Sequence, residues 1–133
     1  MSQENVDLTY EVIDAFNHRD LDAYLALTDP EIELTPYEVA VQGGSPYRGH
    51  AGVRVWWEES LAVLPDLKAE IHKVRDLGNR TVLLGQLRGQ GVSSGASFER
   101  ALCVAVEWRD KKLVWWYAFG SEAAALEAAG LRA

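Results

Sequence analysis

Few side chains in this sequence are suited to acid–base work in an apolar setting, and they are scattered. Glu33 stands between Ile32 and Leu34 in the run Glu-Ile-Glu-Leu-Thr. Turned into an apolar interior, its carboxylate would have a raised pKa and could act as a general base. Turned outward, with Ile32 and Leu34 inside, it is a surface glutamate, the usual result of strand alternation. His50 opens a helical stretch, where the dipole favours the neutral imidazole that accepts a proton. It equally suits a half-exposed position at a helix start. Tyr37 and Tyr47 flank a glycine-rich segment and offer hydroxyl donors. Any chemistry built from this set is proton transfer without a cofactor.

Other polar residues divide the same way. Arg100 interrupts an otherwise apolar strand face. Buried, it needs an anionic partner, either Glu33 or an acidic ligand; exposed, it needs none. Cys103 has no adjacent His or basic residue and reads as a small apolar side chain rather than a nucleophile. His18 and His72 lie in polar surroundings and take no role. Three scattered histidines without a carboxylate cluster make no metal site.

The composition bounds what such residues can serve. A chain of 133 residues fits one domain, 1–133. Five Trp, five Tyr and three Phe supply enough large apolar surface for a real core. A net charge of −7 with no Lys/Arg run opposes binding to phosphate backbones and anionic lipid, so neither nucleic acid nor membrane is expected as partner. The N-terminal MSQENVDLTY has neither a basic region nor an apolar run, and no segment approaches twenty apolar residues. A lone cysteine asks for no oxidising compartment. A cytoplasmic location is expected.

Periodicity supplies the elements that must position these residues. Leu8, Val12, Ala15 and Phe16 mark a first helix, with Ser2 as a candidate cap, and Asp20 caps a short second helix that stops at Asp29-Pro30. A strand is expected over 31–35, then a loop over 37–49, and a third helix from near His50 to Pro65 carrying Trp56 and Trp57. Four strands follow to residue 120, joined by Leu77-Gly78-Asn79-Arg80, a flexible Gly91–Gly95 connection and the Arg109–Lys112 turn. Gly85 and Gly89 share one strand face and remove side-chain volume there. The strand 113–119 is apolar on both faces, so both must be covered. An Ala- and Glu-rich terminal helix ends at Gly130. Long hairpin strands with helices on one face make an α+β roll: a curved antiparallel sheet wrapped around three helices, with an internal pocket and a short C-terminal helix.

The sequence resembles the SnoaL-like proteins of the nuclear transport factor 2-like superfamily over nearly its whole length. The residues that carry the resemblance are Asn17-x-x-Asp20-Leu21-Asp22, Asp29-Pro30-Glu31-Ile32-Glu33, Tyr47-Arg48-Gly49-His50-Ala51-Gly52-Val53 and Trp56-Trp57, in that order. The resemblance implies a conical pocket and points Glu33 and Thr35 inward. It does not transfer a reaction, because the fold hosts isomerases, hydrolases, cyclases and non-catalytic binding domains. The tyrosine, base and neutral acid of ketosteroid isomerases of this fold fall on Val12, Thr35 and Val104 (or Cys103), none of which can do that work. The Arg-and-paired-Asp set of limonene-type epoxide hydrolases has no clear counterpart either.

The expectation is therefore a pocket for a small, mostly apolar organic molecule, lined by Val12, Phe16, Thr35, Tyr37, Tyr47, Trp57, Arg100, Val104 and Trp116. Glu33 and His50 are the candidate bases if isomerase-, cyclase- or hydrolase-type proton transfer occurs there. A non-catalytic ligand-binding or dimerisation/accessory domain is the rival. With Trp116 and Ala118 inward, Trp115, Tyr117 and Phe119 would face out, and so large an aromatic patch predicts a homodimer through that sheet face.

Overall fold

Helix α1 (Ser2–Asn17) buries Leu8, Val12, Ile13 and Phe16 along one face. It ends where Asn17 leaves the helix pattern and pairs with the backbone of Ala69, donating to its carbonyl at 2.8 Å and accepting from its N–H at 2.9 Å. Arg19 follows in the left-handed region at φ 59° and donates to the carbonyls of Phe16, Pro65 and Leu67. This corner fixes the helical layer to the sheet through hydrogen bonds at a chain reversal. Asp20 then caps α2 (Leu21–Ala26), accepting from the Ala23 N–H at 3.0 Å.

The computed structural model describes residues 2–90 and 97–131, so the Gly91–Gly95 connection lies outside the described residues. The remaining elements are β1 (Thr28–Thr35), α3 (Tyr37–Gln42), β2 (Tyr47–Arg48), α4 (Gly49–Val63), β3 (Lys68–Asp76), β4 (Arg80–Gln90), β5 (Ser97–Arg109), β6 (Lys112–Phe119) and α5 (Glu122–Leu131). Four expectations need correction. The segment 37–49 holds α3 and β2 rather than loop throughout, with Gly43 at φ 71° closing α3. Strand β1 begins at Thr28, because Pro30 falls where its pairing with β6 is irregular and its missing N–H costs no ladder bond. Gly130 lies inside α5 instead of ending it. The sheet is mixed: its order is β2-β1-β6-β5-β4-β3, and β1 runs parallel to β6 while every other pair is antiparallel.

The sheet is open and curved. Register shifts between Ile71 and Lys73 on β3, and between Glu107 and Trp108 on β5, mark where strands bend. Gly85 sits opposite the first of these. A Cβ on Gly85 would lie 1.8 Å from the Glu70 carbonyl oxygen, so the close backbone approach at the bend requires glycine.

The inner face carries Leu83, Leu102, Val104, Val106, Leu113, Trp116 and Ala118 against the N-terminal helices and α4. Thr9 ties α1 to this face: it donates to the Asn5 carbonyl, pairs with Thr81 at 2.8 Å and accepts from the Trp108 indole at 3.0 Å. On the outer face Val82, Ala105 and Trp115 pack with Ala125 and Ala129 of α5. Arg80 and Glu107, cross-strand neighbours, form a buried ion pair at 3.2 Å beneath that helix, and Arg80 also donates to the Ala129 carbonyl. The chain's own last helix thus covers Trp115, which is 8% exposed, and leaves Tyr117 and Phe119 half-buried as the outward aromatics. None of the helices is long and apolar enough to cross a membrane among the described residues.

Two stability outcomes follow from these contacts. Gly85→Ala should cost about 1–3 kcal/mol in urea unfolding, because the β3 bend must open to admit the methyl group. Arg80→Ala should cost about 1–3 kcal/mol, because it leaves the buried Glu107 carboxylate with Arg109 alone, 3.3 Å away, and should loosen α5, read as faster amide exchange at Ala125 and Ala129.

Candidate functional site

Between the curved inner face and the helices lies a cavity of about 350 Å³. That is within the range of small-molecule sites. Its wall is mainly apolar and aromatic. Phe16 of α1, Tyr24 of α2, Trp56 of α4 and Trp116 of β6 all reach it. Phe16, Tyr24 and Trp116 each bring a ring centroid within 5.7–6.3 Å of Trp56. Trp57, the next residue along α4, turns the other way and packs edge-on to Phe16 and Tyr24 at 5.3 and 5.2 Å.

Two polar groups on this wall are notable. The Trp116 indole Nε1 is buried and has no hydrogen-bond partner among the described residues. Trp108, equally buried on β5, donates its indole N–H to Thr9. An unpaired buried donor costs about 1–3 kcal/mol, so its persistence beside a cavity needs an account. Burial pushes the Tyr24 phenol far above its ordinary range, so it stays protonated.

Toward the open end the wall turns polar. Arg100 lies beyond Cys103↔Phe119, where the β5–β6 pairing ends. Its guanidinium sits 5.1 Å from the Tyr37 ring centre and 5.2 Å from that of Phe98. Glu38 of α3 accepts from Arg100 at 2.6 Å. Burial raises the Glu38 carboxyl, but hydrogen bonds from Arg100 and its own backbone N–H, with the Arg100 charge, outweigh this and hold it below the usual carboxylate range. Tyr47 donates to Glu59 of α4 at 2.9 Å, and that hydrogen bond, with burial and the charges of Glu59 and Glu38, pushes its phenol up. Cys103 also lines the cavity; burial, then the Glu122 charge, raises its thiol, so it is not an activated nucleophile.

The expected site residues fall into three groups. Phe16, Tyr37, Tyr47, Arg100 and Trp116 meet at the cavity. Val12, Thr35, Trp57 and Val104 are buried behind its wall. Glu33 and His50 are elsewhere, which corrects their placement. Ile32 and Leu34 take the inward positions of β1, so Glu33 points out, 51% exposed and 3.6 Å from Arg48. His50 hydrogen-bonds through Nε2 to the Thr28 carbonyl at 2.8 Å, tying the start of α4 to β1. The acids that do reach the cavity, Glu38 and Glu59, look in sequence like a solvated loop residue and a solvated helix residue, and only their pairing with Arg100 and Tyr47 marks them. Among the described residues no three His, Cys, Asp or Glu side chains stand together as a metal site.

Tyr24 and Tyr47 set an alkaline limit. Their folded pKa values are raised, so their stabilising contribution is complete below the unfolded phenol value of about 10 and is lost as pH climbs toward the folded values. Urea midpoints should therefore fall steeply between about pH 9.5 and 11, and Tyr24→Phe should flatten that fall.

The profile of the SnoaL-like domain family matches residues 10–116. Among solved structures, an NTF2-like protein of unknown function from Burkholderia pseudomallei superposes with a TM-score of 0.77 at 22% identity, covering 93% of this chain and 95% of its own. TerC co-crystallised with polyporic acid superposes at 0.76 and 20% identity, over 96% and 98%. IdmH from Streptomyces antibioticus, a proposed polyketide cyclase, superposes at 0.76 and 21% identity, over 95% and 98%. At such identities these likenesses concern the fold. No curated protein matches the sequence.

Proposed function

This chain belongs to the SnoaL-like domain family, and on that footing we propose that its cavity binds a small, mostly apolar, ring-containing organic molecule bearing a hydrogen-bond acceptor. The observation that carries this reading is the cavity of about 350 Å³ walled by Phe16, Tyr24, Trp56 and Trp116, beside which the Trp116 indole N–H is buried with no partner among the described residues. A ligand carbonyl or ether oxygen supplies the missing acceptor, and the rings of Phe16, Tyr24 and Trp56 stack or pack edge-on to its apolar body. TerC, similar in fold, was co-crystallised with polyporic acid, which supports a small-molecule ligand for this chain.

One observation favours chemistry as a second reading. Tyr47 and Glu59, hydrogen-bonded at 2.9 Å, both border the cavity. The Glu59 carboxylate can take a proton from a carbon next to a bound carbonyl. The enolate oxygen then accepts from the Trp116 N–H, the enolate carbon closes on a second carbonyl of the same molecule, and the alkoxide so formed regains the proton. That is a cofactor-free, cyclase-type step, in keeping with the proposed activity of IdmH.

The test uses 2-acetylnaphthalene, an aromatic ketone, titrated by calorimetry. Wild-type protein should bind it, and Trp116→Phe should weaken binding about tenfold, the worth of one hydrogen bond to an otherwise unpaired donor, while the unliganded variant stays folded. Absence of binding to the wild type, or equal affinity in Trp116→Phe, would overturn the reading. For chemistry, molecules carried through purification are compared by mass and by chromatographic retention before and after incubation. Loss of any mass or isomer change in Glu59→Gln supports catalysis; an unchanged ligand in the wild type leaves binding alone.

A further inference from the structure

We infer that the ligand of this cavity is an aromatic acid or enol, whose anionic oxygen takes the place of Glu38 on Arg100. The inference rests on the small-molecule reading above and names the ligand's chemical class.

Arg100 is the cation on the cavity wall among the described residues. It is 28% exposed, and its cross-strand neighbour on β4 is Leu87, so the sheet gives it no counter-charge. A guanidinium partly withdrawn from water among aromatic rings favours an anionic partner. Glu38 supplies one, at 2.6 Å, through a side chain that can swing into water while α3 stays in place. That side chain is 57% exposed. Releasing Glu38 to water therefore costs little, whereas Arg100 is held between the rings of Tyr37 and Phe98 and stays. The ion pair is an internal stand-in: a fixed cation with an exchangeable carboxylate at the open end of an apolar cavity.

The two ends of the cavity together describe the ligand. The unpaired Trp116 N–H asks for an acceptor among the rings, and Arg100 asks for an anion at the polar end, where its flat fork matches a carboxylate or a β-dicarbonyl enolate by two parallel hydrogen bonds. The overall charge of −7 repels anions in general, so this single cation on the wall also sets which acids are admitted.

The experiment compares 2-naphthoate with 2-acetylnaphthalene, two probes of nearly equal shape, by calorimetry on the full chain. Wild-type protein should bind the naphthoate at least tenfold more tightly. Arg100→Gln should bring the two affinities together, and Glu38→Gln, which frees Arg100 from its internal carboxylate, should strengthen naphthoate binding severalfold and leave the ketone unchanged. If the wild type binds both probes equally, or Arg100→Gln keeps the preference, the cavity is a ligand site but the acid assignment is wrong. If neither probe binds, the small-molecule reading itself falls and takes this inference with it. Should Arg100→Gln fail to fold, Glu38→Gln decides alone: unchanged or weaker naphthoate binding overturns the exchange.

Discussion

The structure depends on a mismatch of lengths. Strand β5 has 13 residues and β4 has 11, roughly 36–43 Å of extended chain. The helices laid across their inner face, α1 with 16 residues and α4 with 15, reach only about 22–24 Å. Helices of that length cannot cover strands of that length. The sheet bends, at the register shift facing Gly85 and at that between Glu107 and Trp108, and its inner surface closes over the helices at one end while standing off them at the other. The cavity is the uncovered remainder of the apolar face.

This division explains why two tryptophans on neighbouring strands differ. Trp108 lies at the closed end, where α1 is near enough for Thr9 to accept its N–H. Trp116 lies along the cavity, where no helix approaches its indole nitrogen closely enough to pair with it. The same geometry sorts the charges. Arg80 and Glu107 are sealed on the outer face by α5 and hold the fold together. Arg100 and Glu38 meet at the open end, half in water, where an ion pair contributes little to stability and can exchange partners. Four charged residues thus form one structural pair and one exchangeable pair, distinguished by what covers them.

The outer face shows how covering a surface changes its meaning. An aromatic row of Trp115, Tyr117 and Phe119 would be a large patch if left bare. Packing of Ala125 and Ala129 on Trp115 removes much of it, and the small alanine side chains let α5 lie close to the sheet. What a second copy could still meet on this face is the half-buried pair Tyr117 and Phe119.

Much of the fold was legible in order and spacing. Helical periodicity placed α1, α2 and α4, alternation placed β3 to β6, and the turn residues placed the hairpins, because each depends on neighbours within a few positions. The apolar end of the site was legible too, since Phe16 and Trp116 fall on faces that must point inward. Glu33 and His50 were misplaced for a physical reason: a side chain's environment is set by the opposing element, and no local pattern reports it. The tertiary structure alone decided that Trp56 rather than Trp57 reaches the cavity, that Glu38 and Glu59 become its acids through Arg100 and Tyr47, and that Trp116 lacks a partner. Those outcomes follow from where strands bend and helices stop short, and they join residues separated by up to 62 positions along the chain.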